Sequence, residues 1–331
     1  MFDGAALDPI VLSVVAAVVP TVAYVWLVWR LDRYEKEPLF LLAVAFLWGA
    51  LPAALLALIL EMILDLPLAV LSPAQNRLIS ASLLAPLVEE GIKGLALLGL
   101  AQQARREFDG VLDGIVYGSL VGLGFGMTEN LLYFLSSHGS AASWGLVVLG
   151  RAVGFGFNHA MFTALTGVGF GLARYATSRA KARGYVLAGL GAALVAHHLH
   201  NFFLTIGNLC LVSLVVDWSG VALVFLIVLL SWQRERRWMQ RYLPEEVEAG
   251  ILAAEHLGAM LSPAWRLGRA WREMGLGGWR RGRLWRRLVD DATELAYKKR
   301  QAELLGPDDA IEARIASLRS RIQTWSARLA E

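Results

Sequence analysis

Two adjacent glutamates and a lysine interrupt the apolar run LAPLVEEGIKGLALLG at Glu89, Glu90 and Lys93. Glu129 and Asn130 interrupt a second run, Arg151, Asn158 and His159 a third, and His197, His198, His200 and Asn201 a fourth. One ionised group at the centre of a lone membrane helix costs about 2.5–3.5 kcal/mol, so such residues turn inward and meet a partner, a metal or water. Glutamate and histidine together offer two chemistries. A buried carboxylate can act as general base on water while histidine and asparagine stabilise an oxyanion. Alternatively, the same side chains can hold a metal-bound water. The spacings suit either. Glu89 and Lys93 stand i,i+4 and can pair, which neutralises one carboxylate and leaves the other over. His159 with Thr163, and His197 with Asn201, also stand i,i+4 and share a face, with His200 close to the second.

The elements that must position these groups are long and apolar. Seven stretches, at 9–29, 39–64, 79–101, 112–135, 145–173, 185–207 and 209–230, approach or exceed the roughly 20 apolar residues that cross a bilayer. The last two are separated only by a short polar break at Asn208. The first lacks the basic leader of a cleavable signal and ends at Trp26 and Trp29. Arg30, Arg33 and Lys36, then Arg105 and Arg106, then Arg174, Arg179, Lys181 and Arg183, follow alternate spans, whereas the intervening loops hold Arg77 or no cation. The positive-inside bias predicts an outside N-terminus and a cytoplasmic C-terminal tail. In that orientation Glu89, Glu129, His159 and His197 lie roughly 9–21 Å below the outer surface of a core about 30 Å thick. Glycines 118, 122, 124 and 126 in YGSLVGLGFGMTEN read as small residues that let helices approach, not as a phosphate loop.

Composition agrees with an all-α, polytopic membrane helix bundle of about seven transmembrane helices. Of 331 residues, 56 % are hydrophobic and only 18 % charged, which excludes a disordered chain and argues against a soluble enzyme. The net charge of +3 is uneven: residues 231–331 hold 19 Lys/Arg against 14 Asp/Glu. The division expected is a bundle over 1–230 and a basic, amphipathic helical tail over 231–331, with helices over 244–260 and, after Pro307-Asp308, over 308–330. In the tail Trp265, Trp271, Trp279 and Trp285 alternate with arginines, a pattern suited to the anionic inner leaflet. A nucleic-acid surface is the weaker reading. The single cysteine, Cys210, excludes an intramolecular disulfide framework.

Several ways to cleave a peptide bond inside a membrane are missing. There is no HExxH, so the Leu112-Asp113-Gly114 tripeptide lacks the partner motif that a site-2-type zinc site needs. Asp113 lies at a span edge and Asp109 in a loop, which does not make a membrane aspartyl pair. Ser119 has no nucleophile context. Glutamate plus histidine remains. A proton-coupled transporter is the alternative reading of the same buried groups, and a catalytically inactive membrane scaffold is a third.

The ordered motifs DRYEKEP (32–38), VEEGIKGL (88–95), DGIVYGSLVGLGFGMTENLLY (113–133), NHAMFTALTGVGFG (158–171) and HHLHNFF (197–203) resemble the PrsW family of intramembrane proteases. That family is similar to the type II prenyl endopeptidases. The resemblance implies an endopeptidase acting on membrane-anchored proteins, with site-1 cleavage of an anti-sigma factor as the associated role. It maps the EExxK motif to Glu89, Glu90 and Lys93, the FxxxE motif to Phe125 and Glu129, and the histidine motifs to His159 and to His197 with Asn201. It implies that a first-motif glutamate activates water, with Glu129 and His159 assisting. It further implies that His197 and Asn201 bind the oxyanion and that Lys93 holds the paired glutamate. If a metal is bound, Zn2+ is the one implied, on Glu129, His159 and His197. Glu129 stands where the prenyl endopeptidases have a histidine, which separates this chain from the prenylated-protein substrate class.

Overall fold

A computed structural model describes residues 8–32, 36–105, 107–137, 140–207, 209–306 and 308–330. Arg33, Arg106, Asn208 and Pro307 lie outside the described residues, as does the side chain of Trp265. Among the described residues all regular structure is helical: α1 (Pro9–Leu31), α2 (Leu39–Trp48), α3 (Ala54–Asp65), α4 (Pro73–Ile79), α5 (Ala85–Gln103), α6 (Val111–Ser136), α7 (Ala141–Val148), α8 (Asn158–Ala173), α9 (Arg179–Thr205), α10 (Cys210–Tyr242), α11 (Pro244–Glu248), α12 (Ala254–Met260), α13 (Pro263–Leu305) and α14 (Asp309–Ala330). Two compact units result. One comprises Met1–Leu31 with Glu37–Val228, the other Asp32–Lys36 with Leu229–Glu331.

Five helical stretches among the described residues are long and apolar enough to cross a membrane: Pro9–Leu31, Leu39–Val70, Val111–Ser136, Arg179–Thr205 and Cys210–Glu248. The other two expected spans are interrupted. The stretch 79–101 is assembled from the end of α4, a π-helical turn at Ser80–Leu84 and most of α5, and it carries three charges. The stretch 145–173 is assembled from α7, a π-helical turn at Leu149–Gly154, a three-residue break and α8. Hydropathy is continuous across both breaks, so the sequence alone reads each as one span. Irregular backbone at such depth is tolerated where protein surrounds it or where it lines a cavity.

The first unit is organised around α6, nearly all of which is buried up to Gly126. Its glycines explain how. A methyl group on Gly114 would lie 2.1 Å from the Gly167 carbonyl oxygen, and one on Gly122 would lie 2.0 Å from that of His159. Their spacing puts them on one face of α6, and α8 packs backbone to backbone against that face. The close crossing sets His159 directly over Gly126, where an added Cβ would sit 3.0 Å from the imidazole. Near the cytoplasm-expected end, Tyr117 donates a hydrogen bond to the buried carboxylate of Glu37.

The second unit has its own core. Met239, Leu243, Trp285, Leu288, Leu295 and Leu318 form its centre. Arg319 makes a forked contact with the buried Glu246 carboxylate at 2.8–3.2 Å. Trp285 is therefore a core residue, whereas Trp271 and Trp279 remain exposed.

Candidate active site

Three helices bring the expected groups together. Glu89, Glu90 and Lys93 come from successive turns of α5, His159 and Thr163 from the first turns of α8, and His197 from α9. Lys93 is fully buried and does more than pair with one acid. Its Nζ lies 2.5 Å from Glu90 Oε1 and 3.2 Å from Glu89 Oε2, so one ammonium answers both carboxylates. It also lies 4.3 Å from the centre of the Phe125 ring, which adds a favourable cation–π contact.

Hydrogen bonds assign the histidine tautomers. His159 Nε2 lies 2.8 Å from Glu129 Oε2 and must donate, because an ionised carboxylate only accepts. Its Nδ1 then carries the lone pair and accepts from Lys93 Nζ at 3.3 Å. His197 Nδ1 donates to Glu90 Oε1 at 3.0 Å, which leaves the lone pair on Nε2. Both lone pairs approach one atom: Glu89 Oε2 lies 3.8 Å from His159 Nδ1 and 4.0 Å from His197 Nε2. The two acids are thus not equivalent. Glu90 is fully buried and engaged by Lys93, His197 and the Thr163 hydroxyl, which donates at 3.2 Å. Glu89 keeps a small accessible area and faces the two imidazole lone pairs.

The donors fit a divalent metal in kind. Glu89, Glu90, His159 and His197 each offer one ligand atom, all within 4.8 Å of one another. Each imidazole has a carboxylate on its outer nitrogen, Glu129 behind His159 and Glu90 behind His197, the support that metal-binding histidines usually have. Glu129 itself lies behind His159 and is not among those four. The cation now touching Glu89 and His159 Nδ1 is Lys93, so a metal ion there competes with an internal ammonium.

Other expected residues lie elsewhere. Asn201 donates to the Ala81 carbonyl at 2.8 Å, and His198 Nδ1 contacts the Ser82 carbonyl at 2.6 Å. Pro86 explains the first: the Ala85 N–H closes the π turn onto the Ser80 carbonyl, so in that register residue 86 would serve Ala81, and a proline has no N–H to give; Asn201 of α9 supplies the donor. His200 belongs to a separate buried group with Asp217 at 2.7 Å, Asn158 and Ser213. Asp217 had a readable signal, a lone acid in the apolar run of the last span. Phe162 bridges the two groups, stacked on His197 with ring centres 4.5 Å apart.

Arg151 also joins the site. Its guanidinium donates to Glu129 Oε2 at 2.7 Å and to Asn130 Oδ1 at 2.9 Å, and it packs over the Tyr133 ring at 3.7 Å. Beside it lies a cavity of about 350 Å³ whose wall includes Tyr24, Asn130, Arg151, Asn158, His159 and His200.

Multi-pass helical proteins that enclose carboxylate and imidazole groups in this way include the intramembrane proteases. The family model described as PrsW family intramembrane metalloprotease matches residues 37–232, and the chain belongs to that family. A Protease PrsW of Geobacillus kaustophilus is 32 % identical over 189 residues, 57 % of this chain and 78 % of that protein. One of Clostridioides difficile is 27 % identical over 228 residues, 69 % of this chain and 90 % of that protein. One of Shouchella clausii is 30 % identical over 192 residues, 58 % of this chain and 83 % of that protein. No solved structure matches the chain. Family membership favours peptide hydrolysis over the carrier reading of the same buried groups.

Proposed function

We propose that the chain hydrolyses a peptide bond of a membrane-anchored protein within the bilayer, with Glu89 as the residue that activates water. The observation that carries the choice is the different surroundings of the two acids: Glu90 is engaged on both oxygens, whereas Glu89 faces two unprotonated imidazole nitrogens. Glu89 takes a proton as the water oxygen attacks the scissile carbonyl carbon. The C–N bond then breaks, and the proton passes to the leaving amine. Lys93, already 3.2 Å from Glu89, supplies positive charge for the developing oxyanion. This charge adds to the expected donor pair, whose members are turned to other partners in this structure, His197 Nδ1 to Glu90 and Asn201 to the Ala81 carbonyl. Glu129 and Glu90 hold the two imidazoles in their tautomers.

A metal bound by Glu89, His159 and His197 would supply Lewis acidity that lowers the pKa of water, and Zn2+ suits two imidazoles and a carboxylate. The substrate class is a membrane-anchored protein, with an anti-sigma factor as the candidate that the family resemblance names. Seven crossings, including the two interrupted ones, give an outside N-terminus and a cytoplasmic tail under the positive-inside bias. The tail over 231–331 rests Trp271 and Trp279 on the anionic inner leaflet.

The test is cleavage of a single-span reporter by purified protein in liposomes. Glu89→Gln and His159→Ala proteins that insert normally are expected to cut nothing. Normal cleavage by both overturns the assignment.

A further inference from the structure

The reacting groups are closed off on most sides. Glu90 and Lys93 are fully buried, and the side chains of Glu89 and His197 are 7 % and 2 % accessible. Accessibility rises along one line: His159 at 17 %, then Glu129 and Arg151 at 25 % each. His159 and Arg151 both line the cavity, and neither Glu89 nor Glu90 does. A chain segment that reaches the buried groups through this cavity therefore meets Arg151 beside His159.

The backbone aims Arg151 there. It sits in the π-helical turn Leu149–Gly154, which ends where the Phe155 N–H closes onto the Gly150 carbonyl. Leu149 and Val153 of the same turn are exposed, whereas Ala152 is buried and lines the cavity with Gly150 and Arg151, so the turn stands at the outer flank of the bundle and directs its one charged side chain inward. Among the described residues the cavity wall carries one guanidinium, two imidazoles and no carboxylate. Such a lining favours oxygen acceptors. An arginine has five N–H donors in a rigid fork, and Glu129 and Asn130 engage Nη2 and Nε.

Resting on the protease reading above, we infer that Arg151 is a substrate-positioning residue: its guanidinium receives an oxygen of the substrate chain next to the scissile bond while holding Glu129 against His159. Two sources offer that oxygen. One is a main-chain carbonyl, left without a helical partner when a membrane segment unwinds for cleavage. The other is an acidic side chain.

The test compares wild type with Arg151→Lys and Arg151→Gln in liposomes, on a single-span reporter and an acid-to-amide series across its scissile region. Lysine keeps a cation beside Glu129 but loses the fork. The expected result for Arg151→Lys is a KM raised at least tenfold with kcat within about threefold of wild type. If the rise is uniform across the series, the oxygen is a main-chain carbonyl. If wild type prefers an acid at one position and Arg151→Lys loses that preference, it is a side chain. A wild-type KM for Arg151→Lys overturns the inference and leaves Arg151 as a counter-ion for Glu129. Arg151→Lys remains decisive even if Arg151→Gln fails to insert. A wild type that cuts no reporter sinks the protease reading and this inference with it, a result distinct from an unchanged KM.

Discussion

Glu129 Oε2 lies 2.8 Å from His159 Nε2, and the same oxygen lies 2.7 Å from Arg151 Nη2. One carboxylate oxygen thus fixes an imidazole on one side and a guanidinium on the other. The contact decides which nitrogen of His159 carries the proton and leaves the other, Nδ1, toward Lys93 and Glu89.

Glu129→Gln should weaken that control without removing a group from the reacting atoms. Loss of an outer carboxylate behind a working histidine typically lowers metal affinity or activity about 10–100-fold. The expected outcome is a fall in kcat of that size with membrane insertion intact, measured on the liposome reporter. Activity equal to wild type would show that the tautomer of His159 does not matter.

Lys93→Met should be harsher. It leaves two buried carboxylates without their shared cation. Breaking a buried ion pair by removing one partner costs about 3–5 kcal/mol. A lowered unfolding temperature in detergent is expected, together with lost cleavage, and partial recovery in the Lys93→Met, Glu90→Gln double variant. Additive losses in the double variant contradict the pairing.

Gly122→Ala tests the helix crossing that presents His159. The added methyl would lie 2.0 Å from the His159 carbonyl oxygen, so α8 must move. Overpacking of this kind costs about 1–3 kcal/mol, and the displaced imidazole should lower kcat. Gly99→Ala is the control, since a methyl there meets nothing within 4 Å. Equal activity of the two variants argues against backbone contact between α6 and α8.

A metal requirement is readable directly. Chelation of the purified protein should abolish cleavage, and stoichiometric Zn2+ should restore it. Lys93 competes for the same atoms, so a higher free metal concentration should be needed than for a cage with no internal ammonium. Full cleavage in chelator, with no bound metal detected, contradicts a metal role.

The tail gives a separate test. Trp271 and Trp279 are exposed, and Arg283 lies over the Trp279 ring at 4.0 Å. In a Cys210→Ser background, Trp279→Cys should react with a polar maleimide more slowly in nanodiscs containing anionic lipid than in zwitterionic ones. Equal rates contradict contact with the leaflet.

Much of this site could be read from residue types alone. Buried acids and imidazoles in separate apolar runs have to converge, and a rise of about 1.5 Å per residue from the outer end of each span sets them at similar heights. Spacing was less reliable. His197 and Asn201 share a helical face, but the π turn sends the Ala85 N–H to Ser80 and Pro86 has none to give, so Asn201 answers the Ala81 carbonyl. Glu89 and Lys93 pair as the i,i+4 rule indicates, yet the shorter contact runs to Glu90. The breaks at Ser80–Leu84 and Leu149–Gly154 leave no mark in hydropathy, because a π turn needs no polar residue. Arg151 stood out as a membrane charge, but its partner across the loop was not given by spacing.

The most direct measurement is the paired activity of Glu89→Gln and Glu90→Gln, both confirmed as inserted, against the single-span reporter. Glu89→Gln is expected to abolish kcat while the substrate still binds, because it removes the base and, where a metal is bound, one of its ligands, while Lys93 keeps its pairing with Glu90. Glu90→Gln is expected to retain a small activity and to lose thermal stability, because it loosens His197 and Lys93. Cleavage at the wild-type rate by Glu89→Gln would contradict the assignment of Glu89 as the water-activating residue.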